Sequence, residues 1–560
     1  MHQKPGTRLW IMALTVLILA ASALADETTD KVDKLFAAWD TTVTPGAALA
    51  VVRDGKIVYE RGYGMASFED GLVMTPQKVF DIGSTSKQFT AACIAMLVRD
   101  GKVGLSDDIR KYLPEMPNYG KVITVDHLLH HTSGLRDYNA LLELSGFRAD
   151  GDCPTVEEAY EVICRQKRLN YLPGAEYSYT NTGFFLLSRI VEKVSGRTLN
   201  AFAQERIFRP LGMAHTLFQD DHNQIVRNRA RGYERSGGGF RVNMSNWDET
   251  GDGNVYTTVE DLALWDQAFY SNALGKDLMD TLHTRGVLND GKKIEYAFGL
   301  MIGEHKGLKT VSHGGAWAGY RAGFVRFPDE KFSVICLANL ADMNPSGLCM
   351  KVADIYLAGK IKEAPKADKG KIETVRVPKA ELEAFAGNYQ DAKFGQWFPV
   401  TFDGDVLRIG FGSQSFALTP VGRTIFQAPD APADVEVEFL PAAPGKPAGA
   451  LVRILGDEGY ILTKEAPFKP MTDRELGAYA GEFVSEELLG ARYGIVVEKD
   501  GLVVKFRNPI VGALKAMAPD KFMTSGLNFE FARRGGRVTG FDLSVGRAAR
   551  IEFRKIGTGR

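Results

Sequence analysis

Two ten-residue stretches constrain the fold of this chain most. Ala380-Glu381-Leu382-Glu383-Ala384-Phe385-Ala386-Gly387-Asn388-Tyr389 and Arg474-Glu475-Leu476-Gly477-Ala478-Tyr479-Ala480-Gly481-Glu482-Phe483 match at an offset of 94 residues. Each is followed by a strand pattern centred on an Asp-Gly turn, Asp403-Gly404 and Asp500-Gly501. Residues 398–465 and 493–556 alternate apolar and polar in short runs with little helical pattern. A repeated unit of short strands, with no helices to cover its edges, closes on itself, so two similar antiparallel barrels are expected. Pro467 and Pro470 mark the boundary between them. A Lys-, Ala- and Gly-rich segment, Gly359 to Lys371, reads as the linker that precedes them.

The first half is patterned differently. Ala48–Val52 and Ile57–Tyr63 alternate around Asp54-Gly55 and read as two strands with a tight turn. Helical patterns dominate from Asp126 to Thr281. Strands return at Lys309–Ser312, Tyr320–Phe327 and Phe332–Ala338. A strand pair, a helical section and more strands make one α+β domain whose two ends meet in a single sheet. The expected boundaries are 26–360 for this domain, 361–378 for the linker, and 379–467 and 468–560 for the barrels.

Residues 1–25 stand apart. Lys4 and Arg8 precede an apolar run from Leu9 to Ala21, and Ala23-Leu24-Ala25 fits a small-x-small cleavage site. The run is short for a membrane span, so it reads as a signal peptide cleaved near Ala25. The expectation is a secreted or periplasmic protein with no stable membrane anchor after cleavage. A formal net charge of −1 and no basic stripe point away from nucleic acid. The five cysteines, Cys93, Cys153, Cys164, Cys336 and Cys349, are too few for a disulfide framework and show no metal-site spacing. Cys153 and Cys164 are left open as a pair.

Chemistry enters at Asp81-Ile82-Gly83-Ser84-Thr85-Ser86-Lys87, just ahead of the apolar run Ala91–Val98. The pattern predicts a helix opening near Ser84. Ser84 and Lys87, three residues apart, then share a face, and an unprotonated lysine can take the serine proton. Burial favours that unprotonated form. A capping serine beside a solvated lysine would look the same, so the pair needs company. A proton shuttle and oxyanion donors are supplied by two further stretches. Tyr179 and Asn181, in Tyr177-Ser178-Tyr179-Thr180-Asn181, lead into the helical run Phe184–Val194. Tyr179 would shuttle the proton if the Lys87 charge favours its phenolate, and Asn181 would bond a substrate amide. His313-Gly314-Gly315-Ala316 ends a strand, and its glycines would let backbone approach a ligand. The Ala316 N–H would join that of Ser84 as an oxyanion hole. Tyr270-Ser271-Asn272 and His305-Lys306-Gly307 carry the same residue types. The first ends an amphipathic helix and the second reads as a hairpin turn, so both are set aside.

The order and context of these three stretches resemble the serine β-lactamase and penicillin-binding family, in the branch of class C β-lactamases, D-aminopeptidases and related esterases. Ile123–Leu135, Pro210-Leu211-Gly212-Met213 and Tyr256–Leu262 resemble the same family. The resemblance covers about residues 30 to 360. It implies a β-lactamase/transpeptidase-like catalytic domain, an antiparallel sheet flanked by helices. It also implies acyl transfer to Ser84 with Lys87 as base and Tyr179 as shuttle, substrate placed by Asn181, His313, Gly315 and Ala316, and no metal or other cofactor. Many β-lactamases carry Lys-Thr-Gly where this chain has His313-Gly314-Gly315, which removes a fixed positive charge facing a substrate carboxylate. The two barrels, the first of them lipocalin-like, resemble the D-aminopeptidase architecture. The leading expectation is therefore a serine hydrolase acting on small D-peptides or amides, with a barrel loop at Arg507–Gly512 limiting substrate size. A carboxylic esterase is the nearest rival, then a weak β-lactamase or D,D-carboxypeptidase. A peptide- or lipid-binding protein is the non-enzymatic alternative.

Overall fold

The computed structural model describes residues 27–557, except 149–150, 363–373 and short turns at 392, 394, 412–413, 432–434, 445–446, 455–458, 500 and 507–511. Residues 1–25 and most of the Arg507–Gly512 loop lie outside the described residues.

The catalytic half is built on a six-stranded antiparallel sheet. Its strands are β1 (Ala47–Arg53), β2 (Lys56–Tyr63), β3 (Met301–His305), β4 (Leu308–Trp317), β5 (Tyr320–Phe327) and β6 (Phe332–Ala338), in the order β3-β4-β5-β6-β1-β2. The two ends of the domain pair at its centre, with Ala47 opposite Ala338 and Val51 opposite Val334. β1 is apolar at almost every position because both faces of the sheet are covered. Ala48, Ala50 and Val52 face the main core. That core includes the serine helix α1 (Lys87–Arg99) and, behind it, α2 (Asn181–Ser195). Ala47, Leu49 and Val51 face the opposite layer, where α3 (Pro345–Tyr356) contributes Leu348, Cys349 and Val352.

The first barrel is closed. Its eight strands run from Gly387–Asp391 to Tyr460–Lys464, and the last returns to the first, with Tyr389 opposite Lys464. The second is a nine-stranded antiparallel sheet curled until its edge strands, Gly512–Ala513 and Lys515–Ala518, are consecutive in the chain, so it is nearly closed. The sequence repeat marks equivalent pieces of the two. Lys379–Phe385 and Asp473–Gly477 are short helices that stop at the first strand of each barrel. Phe385 stacks on Phe439 at 4.4 Å, and Tyr479 meets Phe522 at 4.8 Å, so each repeat brings an aromatic ring against its barrel's apolar interior. Gly387 and Gly481 follow with φ of 153° and 152°.

Candidate active site

The opening of α1 is polar yet buried, and each polar side chain is tied to a neighbouring element. Thr85 Oγ1 donates to the His313 carbonyl at 3.3 Å, Ser86 Oγ accepts from the Val255 N–H at 3.1 Å, and Thr90 Oγ1 donates to the Gly251 carbonyl at 2.7 Å. Trp265 Nε1 donates to Gln88 Oε1 at 2.6 Å. These bonds satisfy groups that would otherwise be costly to bury, and they fix the turn that carries Ser84. Ser84 itself is only partly buried and faces open space.

Lys87 is fully buried. Its Nζ lies 3.1 Å from Ser84 Oγ, 2.9 Å from Asn181 Oδ1 and 2.7 Å from the Asp252 carbonyl. Burial lowers its pKa to about 8, while the carboxylates of Asp252 and Asp137 pull upward and Arg547 pushes down. The amine is thus far closer to its neutral form at neutral pH than a surface lysine. Asp252 is buried too, accepts from the Tyr138 hydroxyl at 3.2 Å on both oxygens, and is held up at about 6 by burial.

Tyr179 is placed at this site, with its ring 4.9 Å below Lys87 Nζ. Its ionisation differs from the expectation. Burial pushes the phenol well above its usual pKa, and only the Ser84 side chain among its near neighbours bonds to lower it. The phenolate is therefore not the resting form. The buried hydroxyl has no hydrogen bond of good geometry to protein.

His313 and the glycines after it also reach the site. His313 Nδ1 donates to the Gly314 carbonyl at 2.6 Å, which leaves Nε2 to accept from the Tyr296 hydroxyl at 3.0 Å. Burial, and then the Lys87 charge, lower its pKa to about 4, so the ring is neutral. Gly315 is also needed for packing. A Cβ there would stand 1.8 Å from the Ile82 carbonyl, and one on Gly83, whose φ is 49°, would stand 2.7 Å from the Ala316 nitrogen. The glycines let β4 press against the serine turn and bring Ala316 beside Ser84. Asn181 Oδ1 is engaged by Lys87, which leaves its Nδ2 end for a ligand.

Two depressions flank Ser84 and Tyr179. One, of about 190 Å³, is lined by Asn181, Trp247, Glu249, Asp252, Trp317 and Arg547. The other, of about 420 Å³, runs along His313, Gly315, Arg321 and Ser346. A larger hollow of about 730 Å³ lies between β2 and the helix Val259–Ser271, and its lining includes neither Ser84 nor any other serine or cysteine. The smaller pocket has an acidic wall. Glu249 is 3% exposed, both its carboxyl oxygens lack a hydrogen-bond partner, and burial pushes it up to about 8.

Several of these groups escaped the sequence reading. Tyr296 carries no local signal in the sequence, and His131 lies unmarked inside a stretch that resembles the family. Its ring packs 4.2 Å from Tyr179 and 4.5 Å from Tyr296. Glu249, Asp252 and Asp137 carry no local motif. Arg547 comes from the turn between the strands Arg537–Val545 and Ala548–Ile556 of the second barrel. Its Nη1 lies 3.5 Å from both the Tyr179 carbonyl and Asp137 Oδ2. A barrel loop therefore does reach the pocket, at Gly546-Arg547; most of the expected one, Arg507–Gly512, lies outside the described residues. Cys153 and Cys164 do not pair, since both are free.

A serine and a buried lysine at the start of a helix, against the edge of an antiparallel sheet, define a serine hydrolase of the β-lactamase/transpeptidase type. Residues 32–353 match the Beta-lactamase family, and the chain belongs to it. It is 32% identical to a D-aminopeptidase from Gluconobacter oxydans over 53% of this chain and 56% of that one. It is 33% identical to a D-aminopeptidase from Brucella anthropi over 56% of this chain and 59% of that one. The match thus spans little more than half the length of either relative. The octameric penicillin-binding protein homologue from Pyrococcus abyssi shares the fold, with a TM-score of 0.53 at 24% identity over 79% of this chain and all of that one. No helix among the described residues is long and apolar enough to cross a membrane.

Proposed function

We propose that this enzyme hydrolyses small peptides or amides that carry a D-residue with a free α-ammonium, through an acyl-enzyme on Ser84. The carrying observation is Glu249, a buried carboxyl with no partner on the wall of the Ser84 pocket. A substrate ammonium there would supply the missing donors, and its charge would favour the Glu249 carboxylate, whose proton leaves to solvent as the pair forms. The neutral His313 supplies no fixed positive charge for a substrate carboxylate. The D-aminopeptidase relatives supply the stereochemical part of the reading.

In this mechanism neutral Lys87 takes the proton from Ser84 Oγ as the oxygen attacks the carbonyl carbon. The Ser84 and Ala316 N–H groups hold the oxyanion. Tyr179, protonated in the resting enzyme, gives its proton to the leaving nitrogen and recovers one from Lys87. Water then enters where the amine left, and the same groups run in reverse to release the acid and free Ser84. Export to the periplasm or medium, with cleavage near Ala25, belongs to the same proposal, and N-terminal sequencing of the mature protein tests it.

The experiment is p-nitroaniline release from D-alanine p-nitroanilide and its L-isomer, with Ser84→Ala in parallel. The reading expects release from the D-form alone, lost in the variant. Release from neither anilide, with turnover of p-nitrophenyl esters, would overturn it in favour of an esterase.

A further inference from the structure

Away from Ser84, three side chains from distant parts of the chain meet at one corner. Cys153 precedes the helix Val156–Cys164, His222 follows the strand Leu217–Phe218, and Asp248 lies in the segment that leads to Glu249 and Asp252. Cys153 Sγ is 3.6 Å from His222 Nδ1, and both Asp248 carboxylate oxygens are 3.0 Å from that same nitrogen. The three donor atoms all lie within 4.8 Å of one another.

This convergence on one ring nitrogen decides between two kinds of chemistry. A nucleophilic triad needs the thiol on one imidazole nitrogen and the carboxylate on the other. Here both address Nδ1, so no relay passes through the ring. A metal ligand set needs the donors to surround a common point, and this set does. In a tetrahedral zinc site, bonds of about 2.3 Å to sulfur and about 2.0 Å to nitrogen place those two atoms about 3.6 Å apart. The carboxylate needs to withdraw only a few tenths of an ångström to take its place. Asn223 Nδ2 lies 3.2 Å from His222 Nε2. With the amide turned so that its oxygen faces the ring, it would accept the Nε2 proton and leave the Nδ1 lone pair for the metal. Asp248 and Glu158 add negative field at this corner, which favours a cation.

We propose that Cys153, His222 and Asp248 form a zinc site, with water as the fourth ligand. Thiolate, imidazole and carboxylate together suit zinc better than magnesium or calcium, which prefer all-oxygen shells. On binding, the thiol proton leaves to solvent. The metal ties the loops at 153 and 222 to Asp248. The neighbours of Asp248, Trp247 and Glu249, line the Ser84 pocket, so the site braces that wall from outside.

The test uses the full chain after chelator treatment, titrated with zinc against a chromophoric chelator. One equivalent should bind with a Kd of about 1 μM or tighter. Cys153→Ser and His222→Gln should each weaken binding on the order of 100-fold. Ser84→Ala should leave it unchanged, which separates this site from the catalytic one. Cobalt(II) gives a readout on the unaltered protein, since a thiolate ligand produces a near-ultraviolet charge-transfer band. That band should appear in the wild type and disappear in Cys153→Ser. Circular dichroism confirms that each variant is folded. Absence of the band in folded wild-type protein, or equal zinc affinity in wild type and Cys153→Ser, would overturn the proposal.

Discussion

The two barrels descend from one sequence pattern, yet they relate to the catalytic domain in opposite ways. The first closes fully around its own core, in which Tyr389, Phe426, Val437 and Phe439 touch no residue of the main cluster. The second leaves its cylinder nearly closed, and its interior, with Phe483, Tyr493, Phe541 and Phe553, is continuous with the catalytic core. Its polar links are buried as well. Arg136 Nη1 and Glu487 Oε2 pair at 2.6 Å with neither side chain exposed, and Tyr493 donates to the Leu144 carbonyl at 3.0 Å. Arg547 carries the contact into the pocket itself. The first barrel reaches the catalytic domain through half-buried groups such as Lys393, which pairs with Glu176. The same repeat has thus yielded one module whose main core stands apart from the catalytic one and one that completes an active site. What separates them is whether the interface carries buried polar groups that must be matched.

The sharpest way to break this comparison is at Arg136. Arg136→Ala strands the buried Glu487 carboxylate and should cost about 3–5 kcal/mol in urea unfolding, with activity lost in parallel. Arg423→Ala, which removes an exposed pair with Glu381 on the first barrel, should leave both the midpoint and the activity unchanged. Equal effects from the two substitutions would dissolve the distinction.

Core substitutions probe the same difference with cavities. Phe439→Ala and Phe541→Ala each remove a buried ring and should each cost about 3–5 kcal/mol. The first should appear as a separate early unfolding transition with anilide turnover intact at room temperature. The second should lower a single transition that carries the activity with it. Calorimetry alongside the anilide assay reads both.

Smaller effects are expected at the pocket. If neutral Lys87 is the base, kcat/KM rises with pH through about 8 and levels off above it. The Arg547 charge disfavours the lysine ammonium, so Arg547→Ala should move this limb to higher pH. It should also relax selection against longer D-peptides by about tenfold. Asp252 favours the ammonium, so Asp252→Asn should move the limb to lower pH. Lys393→Ala, the corresponding reach of the first barrel, should shift neither quantity. Shifts of the same sign from Arg547→Ala and Asp252→Asn would contradict the electrostatic account.

The sequence made the scaffold legible where periodicity and local chemistry coincide. Ala48–Val52 reads as a strand because a run of small apolar residues can be buried on both faces. Ser84 and Lys87 read as a pair because three residues on a helix return to one side. The barrels read as a repeat because both copies keep the helix, the aromatic and the glycine before the first strand. The remaining site residues answer to contacts that no local pattern records. Asp252 matters because the chain folds it against Lys87, and Glu249 because it lines the same pocket. Arg547 is one arginine among many until the turn at 546–547 is laid over Tyr179. The Tyr179 phenolate expectation failed because desolvation of a buried phenol outweighs one nearby ammonium. Cys153, His222 and Asp248 are too far apart in sequence to show any ligand spacing.

The central claim is that Ser84 becomes acylated by a D-amino acyl group with Lys87 as its base. The most direct measurement is acid-quenched mass spectrometry of the enzyme during turnover of a D-phenylalanine p-nitrophenyl ester, followed by peptide mapping. The account predicts one D-phenylalanyl group on the peptide that contains Ser84, absent in Ser84→Ala and greatly slowed in Lys87→Met. An acyl group on another residue, or undiminished turnover in Ser84→Ala, would contradict it.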